Sequence, residues 1–293
     1  MNRSSRRRRN PWKSASVGLG RWRKTVMRSF RYKPGRAKPI LMVLGCPRSG
    51  TTLLTHMFDL DSSSRVYRTD EGLFDKANEV SPGRLRPLPW VQERLLAERA
   101  AFIQFKPQVE SQRARELLEG LPESRIIWLY RHFMDVGRST VSHGRGKQAH
   151  RNIQPIIQGD PDDWRCQNLD PAIRETISGL YRPDLDPMSV AALFWYARNS
   201  LYFQQDLASL PRVCLMRYDD LVNDAMGVME DVYDWMELPF PARKLASFKF
   251  SSSIGRGRGL EIDPAVKALG DELLDRFSKL PHVGIGGANL SLL

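Results

Sequence analysis

Ile40-Leu41-Met42-Val43-Leu44, followed by Gly45-Cys46-Pro47-Arg48-Ser49-Gly50-Thr51-Thr52, decides how the rest of the chain is read. Five apolar residues bounded by Pro39 and Gly45 predict a strand buried on both faces, and Thr51 to Leu60 then reads as a helix. A strand, a glycine-bearing turn and a helix start aim successive backbone N–H groups and the positive helix end at one point, which suits a phosphate. Gly45 and Gly50 permit the tight path, Ser49 lies within it, and Thr51 and Thr52 add hydroxyl donors. The spacing is GxxxxG, the form of a P-loop, but Thr51 stands where a nucleoside-triphosphate loop carries lysine. Without that lysine the β/γ charge loses its main partner, which argues against a nucleoside triphosphatase. Arg48 supplies a cation within the loop itself.

The same alternation continues outward. Val66 to Arg68, Ala101 to Lys106, Ile126 to Tyr130 and Val213 to Met216 read as further strands. Trp90 to Arg99, Ser111 to Glu119, Phe133 to about Ser142, Pro187 to about Leu210, Ala225 to Trp235 and Pro264 to Leu280 read as helices. Residues 144–185 are polar, rich in Gly, Pro, Asp and Arg, and read as an excursion over the top of the sheet, where substrate contacts gather. Strands alternating with helices, with no internal repeat, predict an α/β fold. It has a single P-loop-type domain with a central, mostly parallel sheet covered by helices on both faces and ligands at the carboxyl ends of the strands.

The 293 residues are 41% hydrophobic, enough for a substantial core, and no apolar run reaches the ~18 residues of a spanning helix. Cys46, Cys166 and Cys214 have neither disulfide-framework nor metal-ligand spacing, so no metal is expected and a reducing compartment, the cytoplasm by default, is. The net charge of +12 is localised. Residues 1–40 hold fourteen basic residues and no acidic one, whereas 31 basic residues face 33 acidic ones beyond position 40. The chain therefore divides into a basic tail over 1–38 and an α/β domain over 39–293. Trp12, Leu19, Trp22, Val26, Met27 and Phe30 share one helical face, with Arg21, Lys24, Arg28 and Arg31 largely opposite. The tail reads as a solvated leader, an organelle-targeting leader or an anchor for an anionic membrane surface. A near-neutral body makes nucleic acid an unexpected partner of the folded domain.

The stretch PRSGTTLL after a buried strand resembles the 5′-phosphosulfate loop of the sulfotransferases, which use 3′-phosphoadenosine-5′-phosphosulfate (PAPS) as co-substrate. In that family a later strand delivers an arginine with a serine eight residues on, for the 3′-phosphate. Here Ile126 to Tyr130 leads into Arg131, and Ser139 has that spacing. Phe133 stands where relatives usually have proline. Lys106 ends the strand before this second signature, where relatives place a lysine near the transferring sulfuryl group. Arg217-Tyr218-Asp219-Asp220-Leu221 resembles the family's R-Y-E-D-L segment, with Tyr218 bordering the nucleotide. Ser251 to Gly257 resembles the late loop that closes over PAPS, which brings in Ser253 and Arg256. The KGxxGxWK form of the cytosolic steroid and phenol enzymes is not there, so the match lies nearer the tyrosylprotein and carbohydrate branch.

What the resemblance implies is transfer of a sulfuryl group from PAPS to an acceptor hydroxyl by in-line displacement. Arg48, Lys106 and the loop amides would stabilise the developing charge, and a base would take the acceptor's proton. Glu71, after the second strand, is where the matching branch places a catalytic glutamate. Asp70 and His143 are the reserves. The acceptor class stays open among sugar, lipid, tyrosine and small molecule. The competing readings are a P-loop kinase or nucleotide phosphotransferase, and a non-catalytic binder working through the tail.

Overall fold

The computed structural model describes residues 24–68, 71–75, 83–144 and 146–284. Asp70 and residues 1–23 of the tail lie outside them. β1 (Ile40–Leu44), β2 (Ser64–Tyr67), β3 (Phe102–Phe105), β4 (Ser124–Tyr130) and β5 (Val213–Arg217) form one sheet in the order β2-β3-β1-β4-β5. Every pairing is parallel. β1 lies in the middle, and the strand order reverses on either side of it. That reversal opens the crevice where ligands of such sheets bind.

Each strand is split between two cores by its two-residue repeat. Met42, Leu44, Ile126, Trp128 and Tyr130 face one side, and Leu41, Val43, Ile127 and Leu129 the other. Burial on both faces explains why β1 and β4 read as continuous apolar runs. The first face is covered by α5 (Phe133–Gly144), α6 (Lys147–Gln158), α8 (Pro187–Gln204) and α12 (Pro264–Ser278). The second is covered by α2 (Thr51–Leu60) and α10 (Ala225–Trp235), with Phe58 stacked on Tyr233 at 5.9 Å. Among the described residues, no helix is long and apolar enough to cross a membrane.

The excursion over 144–185 holds two helices, α6 and α7 (Pro171–Leu180). α6 buries Ala149, Ile153 and Ile156, spaced four and three apart, but Pro155 interrupts its pattern in the sequence. Asp170-Pro171 starts α7 with the same cap that Asp186-Pro187 and Asp263-Pro264 give α8 and α12. α8 stops six residues short of Leu210 because Asp206 turns left-handed, at φ 49°, into a short 3₁₀ turn over Leu207–Ser209.

The tail is docked from residue 24 onward. A helical segment over 24–31, α1, places Lys24 Nζ 2.9 Å from the carbonyl of Asp59 and 3.0 Å from Ser64 Oγ. Arg28, buried, donates to the carbonyl of Ser64. Lys38, also buried, donates to the last carbonyls of α3 (Leu88–Leu96) at 3.3 and 3.2 Å. The desolvation of Lys24 lowers its ammonium to about 8.

Candidate active site

The carboxyl ends of the strands bring the site together. The turn after β1 opens at Gly45, where φ is 120° and a side chain would strike the carbonyl of Leu129. It passes through Arg48 at φ 73° and closes at Gly50 at φ 100°. Gly50 starts α2 with no side-chain cap and no acidic residue in the first turn, so the N–H groups and positive end of that helix remain available to an anion. A Cβ at Gly50 would lie 2.3 Å from the Tyr218 ring, which fixes that ring against the loop.

Three cations from three strand ends surround this turn. Arg48 comes from the β1 turn, Lys106 from the end of β3 and Arg131 from the end of β4. Lys106 Nζ donates to Thr52 Oγ1 at 3.0 Å, and Arg48 Nε donates to Ser139 Oγ at 3.0 Å. Burial lowers all three side chains below their ordinary values, and Arg48 and Lys106 are lowered further by a like-charged neighbour, Arg131 and Arg48 respectively. Such a cluster is relieved by a bound anion. Among the buried polar atoms with no partner are Ser49 Oγ, inside the turn, and Arg131 Nε. A phosphate-bearing nucleotide fits this donor set.

Arg131, Tyr218 and Ser253 form one group. The Arg131 guanidinium lies 4.2 Å from the centre of the Tyr218 ring and donates to the carbonyl and Oγ of Ser253 at 2.6 and 3.0 Å. Tyr218 OH meets the same Oγ at 3.1 Å. Arg131 and Ser139 do not touch each other; Arg48 is the partner of Ser139. Arg256 is exposed and reaches only the carbonyl of Ser252 within the late loop, at 2.8 Å.

A cavity of about 450 Å³ opens beside the cations. Arg48, Lys106 and His143 line its polar end, and Phe74, Trp164 and Phe194 its apolar wall. His143 lies with Nδ1 3.2 Å from the carbonyl of Ser139, and both ring nitrogens lie 3.0 Å from an Arg48 Nη. Glu71 is elsewhere. It pairs with Arg65 at 3.0 Å and lines a neighbouring polar cavity with Lys24, Arg28 and Glu98. His132 stacks on Phe133 away from the loop, and His56 lies on the exposed side of α2. Among the described residues no group of acidic, cysteine and histidine side chains could hold a metal ion.

Two contributors escaped the sequence reading. Asp135, buried in the first turn of α5, accepts the N–H groups of Gly255 and Gly257 at 3.0 and 2.8 Å and faces Arg131 and Arg258. It ties the late loop to the end of β4. Arg198, fully buried, packs over the Trp164 ring at 4.8 Å and donates to Gln112 at 3.2 Å, and desolvation lowers it to about 10. An arginine inside the apolar run of α8 was the visible mark of a buried polar contact there.

A family model described as a sulfotransferase domain matches residues 38–254. Among solved structures, the chain is similar to the sulfotransferase domain from the curacin biosynthetic pathway, with 18% identity, 84% of this chain and all of that one covered, and a TM-score of 0.51. It is also similar to the sulfotransferase domain of the Synechococcus PCC 7002 olefin synthase (16% identity, 85% and 98% covered, TM-score 0.48). A third likeness is to mouse sulfotransferase SULT7A1 complexed with PAP (11% identity, 84% and 85% covered, TM-score 0.48). No curated protein sequence matches the chain. The first of these structures supports the fold; the family match, which runs from β1 into the start of the late loop, carries the assignment. The chain belongs to the sulfotransferase family and is a transferase.

Proposed function

We propose that this enzyme moves the sulfuryl group of PAPS to the hydroxyl of an acceptor seated in the 450 Å³ cavity. The observation that carries the reading is the convergence of Arg48, Lys106 and Arg131 around the uncapped start of α2. The turn over 45–50, with Ser49, Gly50, Thr51 and Thr52, would hold the 5′-phosphosulfate. Arg131 and Ser139 would hold the 3′-phosphate, with Tyr218, Ser253 and Arg256 closing over the nucleotide. PAPS supplies an activated sulfuryl group on a phosphate leaving group. Arg48 and Lys106 offset the charge that develops on it, which is the largest contribution such a site makes.

For the proton, we assign His143 ahead of Glu71. With Nδ1–H donated to the Ser139 carbonyl, Nε2 accepts from Arg48 Nη2 at 3.0 Å, and it becomes a base at the cavity that also holds Lys106 once Arg48 turns to the bound anion. Glu71 follows β2 at the same end of the sheet but is engaged with Arg65 at the neighbouring cavity.

Titration calorimetry with adenosine 3′,5′-bisphosphate, set beside ATP with Mg²⁺, tests the nucleotide site. Micromolar binding of the bisphosphate with little response to ATP supports it. Binding of ATP alone would transfer the chain to phosphotransfer, and silence from both in folded protein would leave the turn as scaffold.

A further inference from the structure

α1 is amphipathic in an inverted sense. Its cations Lys24 and Arg28 point inward, held by Asp59 and Ser64 on the domain. Two of its apolar residues point outward, Met27 at 59% exposed and Phe30, one turn on, at 89%, while Val26 is half-buried. A soluble helix ordinarily hides such side chains and leaves its cations in water. Arg31, Lys33 and Arg36, all exposed, flank the pair. No acidic residue occurs before Asp59. An exposed apolar pair followed by three exposed cations is complementary to one kind of surface, an anionic lipid headgroup layer above an acyl boundary.

We propose that the outward face of α1, centred on Met27 and Phe30 with Arg31, Lys33 and Arg36 around it, docks the enzyme on anionic membranes. Phe30 and Met27 enter the acyl boundary while the three cations meet lipid phosphates. Lys24 and Arg28 take no part, because the domain already holds them. This fixes the orientation: the domain sits behind α1, with the helix between it and the lipid.

Cosedimentation of the full chain with vesicles of pure phosphatidylcholine, and of phosphatidylcholine with 30% phosphatidylglycerol, tests this; the lipid fraction is about what gives a strong surface potential. The expected result is partition to the anionic vesicles alone, weakened on raising salt from about 0.1 to 0.5 M. The double variant Met27→Ser/Phe30→Ser should lose about tenfold or more of that partition while binding adenosine 3′,5′-bisphosphate as the parent does. Unchanged partition in the double variant overturns the assignment of this face. Absence of partition in the parent does so too. A dimer by light scattering that the double variant dissociates would also overturn it, making the face a contact between copies.

Discussion

Lys106 and His143 line the same cavity as Arg48, and each offers a separate test of the site. Burial, then the charge of Arg48, holds the Lys106 ammonium below the ordinary lysine value of 10.5. An anion bound between them favours the charged form, so binding must raise that value and take up protons. Affinity for adenosine 3′,5′-bisphosphate is therefore complete below the depressed value of free Lys106 and falls as pH rises through it. Calorimetry from pH 7.5 to 10 should show this decline, and Lys106→Met should flatten it. A pH-independent affinity in the parent would separate Lys106 from the anion. His143→Gln keeps a donor for the Ser139 carbonyl and an acceptor for Arg48 but removes the base. Turnover should drop about a hundredfold or more with nucleotide affinity retained. Glu71→Gln should leave turnover within a few-fold. The reverse pattern in the two variants returns the role to Glu71.

Elements position these groups, and the late loop is the one whose anchoring is most specific. Asp135 holds it through the N–H groups of Gly255 and Gly257, and a Cβ at Gly257 would strike the carbonyl of Met134. Asp135→Asn replaces one acceptor oxygen by a donor and removes the charge between Arg131 and Arg258. Losing a charge-assisted contact of this kind should raise the KM for PAPS about tenfold or more, with a smaller effect on kcat. Hydrogen exchange over 251–258 should quicken in the same variant. A fall in kcat alone would give Asp135 a role in the chemistry instead. The loop itself was legible as a segment, yet its anchor was not, because an aspartate in a first helical turn has the same appearance whether it caps, pairs or faces water. The contrast with β1 and β4 is instructive. Strands buried on both faces write their position as uninterrupted apolar runs, and the bounds read for β1 and α2 coincide with those in the structure. α6 did not announce itself, since Pro155 and a polar outer face hid three buried positions. Residue partners brought together across 91 positions, such as Arg48 with Ser139, have no local sequence signature at all.

At the scale of the whole molecule, we propose that tail and domain divide by where charge is buried rather than by where charge is dense. The composition places the break at residue 38, since every residue before it is basic, apolar or neutral. The packing joins residues 24–38 to the domain. Lys24, Arg28 and Lys38 each close hydrogen bonds with carbonyls of the domain, and Arg28 and Lys38 are buried. Deleting α1 and Lys38 would strip partners from the carbonyls of Asp59, Ser64, Leu95 and Leu96 and leave Asp59 with one cation fewer. Contacts of this type are worth about 1–3 kcal/mol each before the ordering entropy of the segment is subtracted. Removal of residues 1–38 should accordingly lower unfolding stability by about 2–4 kcal/mol relative to removal of residues 1–23. Urea titration of the two truncations side by side reads the difference directly. Equal stability of the two would make α1 an appendage resting on the domain, and the break would stay at residue 38. If the larger truncation is the weaker one, the same helix that presents Phe30 outward is held in place by the cations it turns inward.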